Sequence, residues 1–395
     1  MKPSHTNRVF FLSAKRTPFG KFLGGLSPYS AIDLGVMAAQ AAIKEGGINP
    51  NVIDQVVFGN VLQTSKDAIY LARHIGLRCE IPEKSPALTV NRLCGSGFEA
   101  IMQGARLLKT GEASCVLVGG SESMSQAPFV LRGARVGLNL GQGKLEDSLW
   151  ECLHDTYANM PMALTAENLA DIYHISQEEV DQYSLLSQQR YQQALKENIF
   201  DDEMAPVEIG KKDKYVLARD EHPRADSSLV GFKKLPKVFK ANGVIHAGAA
   251  SGICDGAAGL IMCNEEFLQR SGQKPLGEYI ACTAVGCDPK IMGIGPVHAI
   301  RNVLGKTELS LDDMSMVEIN EAFAPQVLAV AQELRLAPER INIHGGALAL
   351  GHPLAASGAR IITHMLHSLK KNPGQKGLGS ACIGGGQGIA MVIKT

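Results

Sequence analysis

The chain has 395 residues, 45% of them hydrophobic and 20% charged, with a formal net charge of +0. That composition supports a sizeable core and argues against disorder. With no basic excess to neutralise phosphates, it also argues against nucleic-acid or acidic-membrane binding.

The residues up to 120 alternate strand and helix. "RVFFLSA" is an expected strand, and "SAIDLGVMAAQAAIKEGG" an expected helix ending at a glycine pair. "IDQVVFGNVL" reads as a strand, "DAIYLARHIGL" as a helix, "SPALTVNRL" as a strand, "FEAIMQGARLLKTG" as a helix and "ASCVLVGG" as a strand. This rhythm predicts a mainly parallel sheet covered by helices. Residues 121–249 carry more charge and the single tryptophan, Trp150, and read as a long insertion holding one or two amphipathic helices and a loop or exposed hairpin at "GKKDKYVLARDEHPRADSS". "GAASGICDGAAGLIMCNEEF" returns to tight packing, and the alternation resumes from about 275 to the end.

No apolar run reaches the roughly 18 residues that would mark a membrane span. The stretch "MKPSHTNRVFFLSAKRTPFG" is basic but has neither the apolar run nor the cleavage site of a secretory signal. Nine scattered cysteines, an odd number with no C-x-x-C pair, point to free thiols in a reducing compartment, and no metal site is expected.

The segment 86–120 runs strand, reactive-looking residue, Ser-Gly, helix, strand, and 341–384 does the same, with Ser96-Gly97 and Ser357-Gly358 in matching places. This weak internal repeat predicts two halves of like fold with a site where their strand ends meet.

Four stretches could carry chemistry. In "NRLCGSG", Cys94 lies at a strand-to-helix turn, with Leu93 ending the strand, where the positive end of the helix dipole should lower the thiol pKa. In "ALGHPLAASG", His352 can take a proton near neutral pH. In "SACIGGGQG", Cys382 ends a strand before three glycines whose N–H groups can face an anion. In "VEINEAFAPQ", Asn320 and Glu321 follow a strand, as a helix N-cap or as an amide that holds a water. Together the set suits thioester chemistry: a nucleophilic thiol, a base, a second thiol as acid and base at carbon, and N–H donors for thioester oxygens.

These four stretches resemble those of the thiolases, and the likeness runs from "AKRTPFGKFLGGL" to "SACIGGGQGIA". Within that family, "DAIYLARHIGLR", "SESMSQAP" and "KLEDSLW" are most similar to the mitochondrial-type 3-ketoacyl-CoA thiolases. The resemblance implies an α/β fold of five layers, αβαβα, built from two similar mixed-sheet halves and an inserted loop domain. The divisions expected are 1–120 with 250–273 for the half carrying Cys94, 121–249 for the loop domain, and 274–395 for the half carrying Asn320, His352 and Cys382. It implies an acyl-CoA:acetyl-CoA C-acyltransferase. Cys94 would be the acylated nucleophile, His352 its base, and Cys382 the thiol that exchanges a proton with the acetyl-CoA methyl carbon. Asn320, through a water, and His352 would form one oxyanion hole. The N–H groups of Cys94 and Gly384 would form the other. Arg224, Ser227 and Ser251 would contact coenzyme A, with Met162 beside the acyl-CoA. Coenzyme A is then a co-substrate, no cofactor is held permanently, and the expected partners are acyl-CoA substrates and a second or fourth copy of the chain. Pairing across a two-fold is expected near "ASCVLVGG", which has few charges to protect an edge. The compartment would be the mitochondrial matrix in a eukaryote and the cytoplasm in a bacterium.

Three positions depart from the family pattern. Ala355 replaces a usual glycine, and is costly if its φ is positive and harmless if it begins a helix. His344 replaces Asn or Ser and is expected to retune the site. Pro161 replaces a histidine before Met162 and removes a polar contact to the acyl-CoA. Two other functions fit the same fold: a decarboxylating condensing enzyme, which usually lacks the second cysteine, and an inactive lipid-binding relative, which would lose one of the four residues.

Overall fold

The computed structural model of the chain describes residues 8–210 and 214–395. In the first half the strands are β1 (Val9–Arg16), β2 (Gln55–Gly59), β3 (Ala87–Val90), β4 (Cys115–Ser123) and β5 (Cys254–Asn264). Its helices are α1 (Ala31–Glu45), α2 (Leu71–Arg78) and α3 (Ser96–Thr110). The 121–249 region adds α4 (Met162–Tyr173) and α5 (Gln177–Lys196). The second half holds β6 (Gly277–Gly286), α6 (Gly295–Thr307), β7 (Met316–Ile319), α7 (Ala324–Leu334), α8 (Leu354–Leu369), β8 (Lys376–Ile383) and β9 (Gln387–Lys394).

Local chemistry sets these ends. Ser30 and Asp33 form a reciprocal capping box at the start of α1, and Gly46 closes it. Gly111, at φ 76°, ends α3. The "DAIYLARHIGL" helix divides into a single 3₁₀ turn, Ala68–Tyr70, and α2. In the stretch expected to be a loop or an exposed hairpin, Tyr215–Leu217 forms a strand that pairs with Val207–Ile209 just before it, and residues 211–213 lie outside the described residues.

The strands follow the order β7-β8-β9-β6-β1-β5-β4-β2-β3. β1 pairs antiparallel with β5, β5 antiparallel with β4, and β4–β2 and β2–β3 are parallel. In the second half β6–β9 and β9–β8 are antiparallel, β8–β7 is parallel, and Val317 bridges in parallel to Ile341 where a fifth strand would lie. The connectivity therefore repeats, as the sequence repeat predicts. The two half-sheets are also hydrogen-bonded to each other, because Val9, Phe10 and Phe11 of β1 pair with Tyr279, Glu278 and Gly277 of β6.

Five layers follow from which faces are apolar. Phe10 and Leu12 of β1 join α1 and α2 in an outer core, while Val9 and Phe11 face inward. The central core combines Phe98 and Ile101 of α3, Ile361 and Met365 of α8, and Ile389, Met391 and Ile393 of β9. Ala390 and Val392 of β9 turn the other way, onto α6 and α7. The Ser-Gly repeat lets the two central helices approach: a side chain at Gly97 would meet the Ala359 backbone nitrogen, and one at Gly358 would meet that of Phe98.

Two strand expectations are corrected. The sheet is mixed rather than mainly parallel: five of the eight pairings along the strand order are antiparallel, because most neighbouring strands run in opposite directions at the centre of each half. β4, the "CVLVGG" strand, lies between β5 and β2 and is fully buried, so its few charges reflect burial on both faces and it offers no free edge. The free edge of that half-sheet is β3, where Leu88 is 50% exposed.

Candidate active site

Cys94 sits at the tip of a tight turn after β3. The Gly95 and Ser96 N–H groups donate to the carbonyls of Arg92 (3.0 Å) and Leu93 (2.9 Å), and the Ser96 hydroxyl accepts from the Arg92 N–H at 2.9 Å. Leu93 does not end the strand as expected. The strand stops at Val90, and Leu93 is left-handed, at φ 46°, a conformation a non-glycine residue keeps only when its surroundings enforce it. Arg92 anchors the turn through Glu99 (2.6 Å) and through Gln387 at 3.0 Å, on the hairpin that follows Cys382.

Gly384 and Cys382 face this turn from that β8–β9 hairpin, whose tight bend uses Gly385 and Gly386 at φ 77° each. The Gly384 N–H lies near the Cys94 sulfur and favours its thiolate. Burial pushes the Cys94 thiol up to about 11; the N–H groups of Gly384 and Cys94 oppose that rise and the Glu122 charge adds to it. The expected lowering by the helix dipole is thus overturned. α3 begins only at Ser96, and desolvation is the largest influence on the Cys94 thiol. Cys382 is fully buried and its thiol lies well above its ordinary value, through burial first and then the neighbouring Cys94 and Cys287.

His352 precedes α8. Its N–H donates to the Gly252 carbonyl at 2.8 Å, and its ring is pinned on both sides. Nδ1 is 2.6 Å from the Ser357 hydroxyl, and that hydroxyl donates to the Pro353 carbonyl at 3.1 Å. Nδ1 therefore carries the proton and donates to Ser357, leaving Nε2 bare. Nε2 faces the Asn320 side-chain nitrogen at 3.3 Å. Burial first, then Arg360, pushes His352 down to about 3, so the ring is neutral and Nε2, which accepts from the Asn320 amide, carries the lone pair that can take a proton. Asn320 is no N-cap: α7 starts at Ala324, and Oδ1 of Asn320 is buried without a partner among the described residues. Glu321 instead accepts from Tyr183 (2.9 Å), Ser187 (2.7 Å), Asn342 (2.8 Å) and the Leu348 N–H (3.0 Å), which makes it structural.

Two apolar clusters line the thiols. Leu62, Met124, Leu149 and Leu354 pack with Cys94 and Cys152, while Met292, Ala322, Met162 and Phe323 pack with Cys382. Ser251 is tied to the same region by its N–H, which donates to the Ala322 carbonyl at 3.0 Å. Arg224 and Ser227 lie elsewhere, on a surface groove of about 190 Å³ lined also by Gln188, Gln192 and Lys196 of α5.

Among the departures, Ala355 is helical and inside α8, so it carries no strain. His344 does not line the site; its Nδ1 is 3.0 Å from His364 Nε2, and His364 Nδ1 is 2.7 Å from Glu203, which also accepts from Arg16 at 2.6 Å. The expectation that His344 retunes the site is corrected accordingly. Pro161 is the N-cap residue of α4, immediately before Met162, and gives no side-chain cap bond. Arg92 and Ser357 emerge as site residues only here. Ser357 was visible in the sequence as part of the repeat, without any sign that it meets His352.

Family models of the thiolase N-terminal domain and the thiolase C-terminal domain match residues 9–266 and 273–395. The chain is 52% identical over 388 residues to the mitochondrial 3-ketoacyl-CoA thiolase of Bos taurus, covering 98% of each chain. It is 40% identical over 395 residues to the acetyl-CoA acetyltransferase of Syntrophomonas wolfei, covering 98% of this chain and 99% of that one. The crystal structure of the human mitochondrial 3-ketoacyl-CoA thiolase in complex with CoA superposes with a TM-score of 0.96 at 51% identity, over 98% of both chains. With two cysteines, a neutral histidine and an asparagine set on matching loops of a duplicated fold, and with these likenesses over almost its whole length, the chain belongs to the thiolase family.

Proposed function

We propose that the protein cleaves 3-ketoacyl-CoA with free CoA to acetyl-CoA and a shortened acyl-CoA, or runs the reverse condensation, by ping-pong chemistry through an acyl-Cys94 thioester. The observation that supports this reading is a neutral His352 held by Ser357 and Asn320, with the Cys94 turn faced by the hairpin that carries Cys382 and Gly384. His352 Nε2 takes the Cys94 proton as the sulfur attacks the 3-keto carbon. The C2–C3 bond breaks and its electron pair leaves as the acetyl-CoA enolate, whose oxygen lies against His352 and an Asn320-held water. Cys382 gives its proton to C2. The Cys382 thiolate then takes the proton of a new CoA thiol, which attacks the acyl-Cys94 carbonyl, whose developing charge meets the N–H groups of Cys94 and Gly384; Cys94 leaves as the thiolate and regains its proton from His352 Nε2. A condensing enzyme that decarboxylates has no use for a buried second thiol at Cys382.

Coenzyme A is a co-substrate in this reading, with no permanently held cofactor. Arg224 and Ser227 meet its nucleotide end, while Ser251 and Met162 flank the thioester end. The segments 1–120 with 250–273, 121–249 and 274–395 act as nucleophile half, loop domain and base half. The working form is a homodimer or homotetramer paired through the β3 edge. The compartment is the mitochondrial matrix in a eukaryotic cell and the cytoplasm in a bacterial one.

Intact-mass measurement after incubation with acetyl-CoA tests the assignment. Cys94→Ala should carry no adduct. Cys382→Ser should be acetylated at Cys94 yet lose roughly 10²-fold or more of turnover. An adduct on Cys94→Ala that maps to Cys382 would reverse the roles.

A further inference from the structure

The duplicated register singles out Glu122. Gly59 pairs with Gly120, and Ile319 pairs with Ser380, so Asn60 and Asn320 each follow the last pair of their strands. Glu122 lies opposite Gly256 as Cys382 lies opposite Gly388. Gly97 and Gly358 pack reciprocally, and three residues before each stand Cys94 and Ala355. The first half therefore contains a second copy of the site's frame. In that copy a carboxylate occupies the place of the second thiol, and the Ala355 N–H occupies the place of the Cys94 N–H.

Glu122 is wholly buried. Its Oε1 accepts from the Asn60 amide (3.0 Å) and the Leu62 N–H (3.0 Å); its Oε2 accepts from the Val61 N–H (3.2 Å) and the Ala355 N–H (3.0 Å). All four partners donate. A protonated carboxyl would set its own O–H against one of them, so the arrangement is complete only for the anion. Ala355 lies three residues beyond His352 in the second half, whereas Val61 and Leu62 share an apolar cluster with Cys94. The carboxylate thus ties the histidine's loop to the cysteine's.

We propose that Glu122 is a positioning residue for the reaction: while ionised, it holds the start of the helix that follows His352 in register with Cys94. This rests on Cys94 as nucleophile and His352 as base. Burial pushes Glu122 up to about 7, against the N–H groups of Leu62, Ala355 and Val61, and the charge on Asp255 of β5 adds to the rise. Cys94 and Cys152 also face Glu122 and feel its charge. His352, at about 3, is too low to give an acid limb near neutrality.

The test follows kcat and KM for acetoacetyl-CoA cleavage against pH in the wild type, Glu122→Gln and Asn60→Asp. It is combined with iodoacetamide alkylation of Cys94 against pH and with the mass of the acetylated enzyme. The wild type should show an acid limb near 7. Glu122→Gln should lose that limb, drop roughly tenfold or more in kcat with little change in KM, and shift the alkylation midpoint of Cys94 to lower pH, because an opposing charge has gone. Asn60→Asp places a second carboxylate beside the first and should move the limb up by about one unit. Glu122→Gln with the wild-type limb overturns the proposal. If that variant does not fold, an unshifted limb in Asn60→Asp overturns it. A wild-type enzyme that is not acetylated at Cys94 overturns the underlying reading instead.

Discussion

Ser357→Ala removes one oxygen from the buried site and tests the direction of proton flow. In the folded chain the Ser357 hydroxyl is 2.6 Å from His352 Nδ1 and 3.1 Å from the Pro353 carbonyl, which it satisfies with its only proton. It must therefore accept from Nδ1, and that bond keeps Nε2 free to take the Cys94 proton. His352 is only 6% exposed, so water offers little replacement. Leaving a buried N–H without an acceptor costs about 1–3 kcal/mol. The ring can escape that cost by moving its proton to Nε2 or by rotating, and either removes the base. At about 1.4 kcal/mol per tenfold, kcat/KM should fall roughly 5- to 150-fold, with thermal stability changed far less than activity. The assay is acetoacetyl-CoA cleavage by free CoA under single-turnover conditions, which isolates the acylation step. A Ser357→Ala enzyme within about twofold of wild type in acylation rate would refute this chain of reasoning.

Two further outcomes concern the scaffold. Gly120→Ala should destabilise the fold strongly, because its methyl would overlap the Ala355 backbone carbonyl with no flexible side chain to yield; a small change in Tm would show that α8 is not clamped against β4 as described. Glu203 is wholly buried between Arg16 and His364; burial alone would raise its carboxyl, but these two partners hold it well below the usual 4.5. A depressed carboxylate contributes stability above its unfolded pKa and loses it as the pH falls, so Glu203→Gln should cost about 3–5 kcal/mol near neutrality and flatten the acid side of the stability profile. Urea titrations at several pH values should give those shapes, and parallel curves for the two proteins would contradict the assignment.

Much of this protein was legible in its sequence because short-range rules wrote it there. Strand–helix alternation, the glycine stops and the Ser96-Gly97 and Ser357-Gly358 repeat all act within a few residues, and they sufficed for two like halves with the site at their strand ends. Cys94, His352, Cys382 and Asn320 stood out because turns rich in glycine are unusual places for such side chains. What the tertiary structure alone decided involves partners far apart in the chain. Whether Cys94 is a depressed or an elevated thiol depends on desolvation against a dipole, and only the packed site fixes which is larger. Which nitrogen of His352 carries the proton depends on where the Ser357 hydroxyl points, and Glu122 meets Ala355 across 233 residues of chain. β4 read as an edge because a strand buried on both faces and an uncharged edge have the same composition; only pairing order tells them apart. His344 looked like a site residue by position along the chain, yet folding sets it against His364, whose other ring nitrogen meets Glu203, and that pairing joins residues from separate elements.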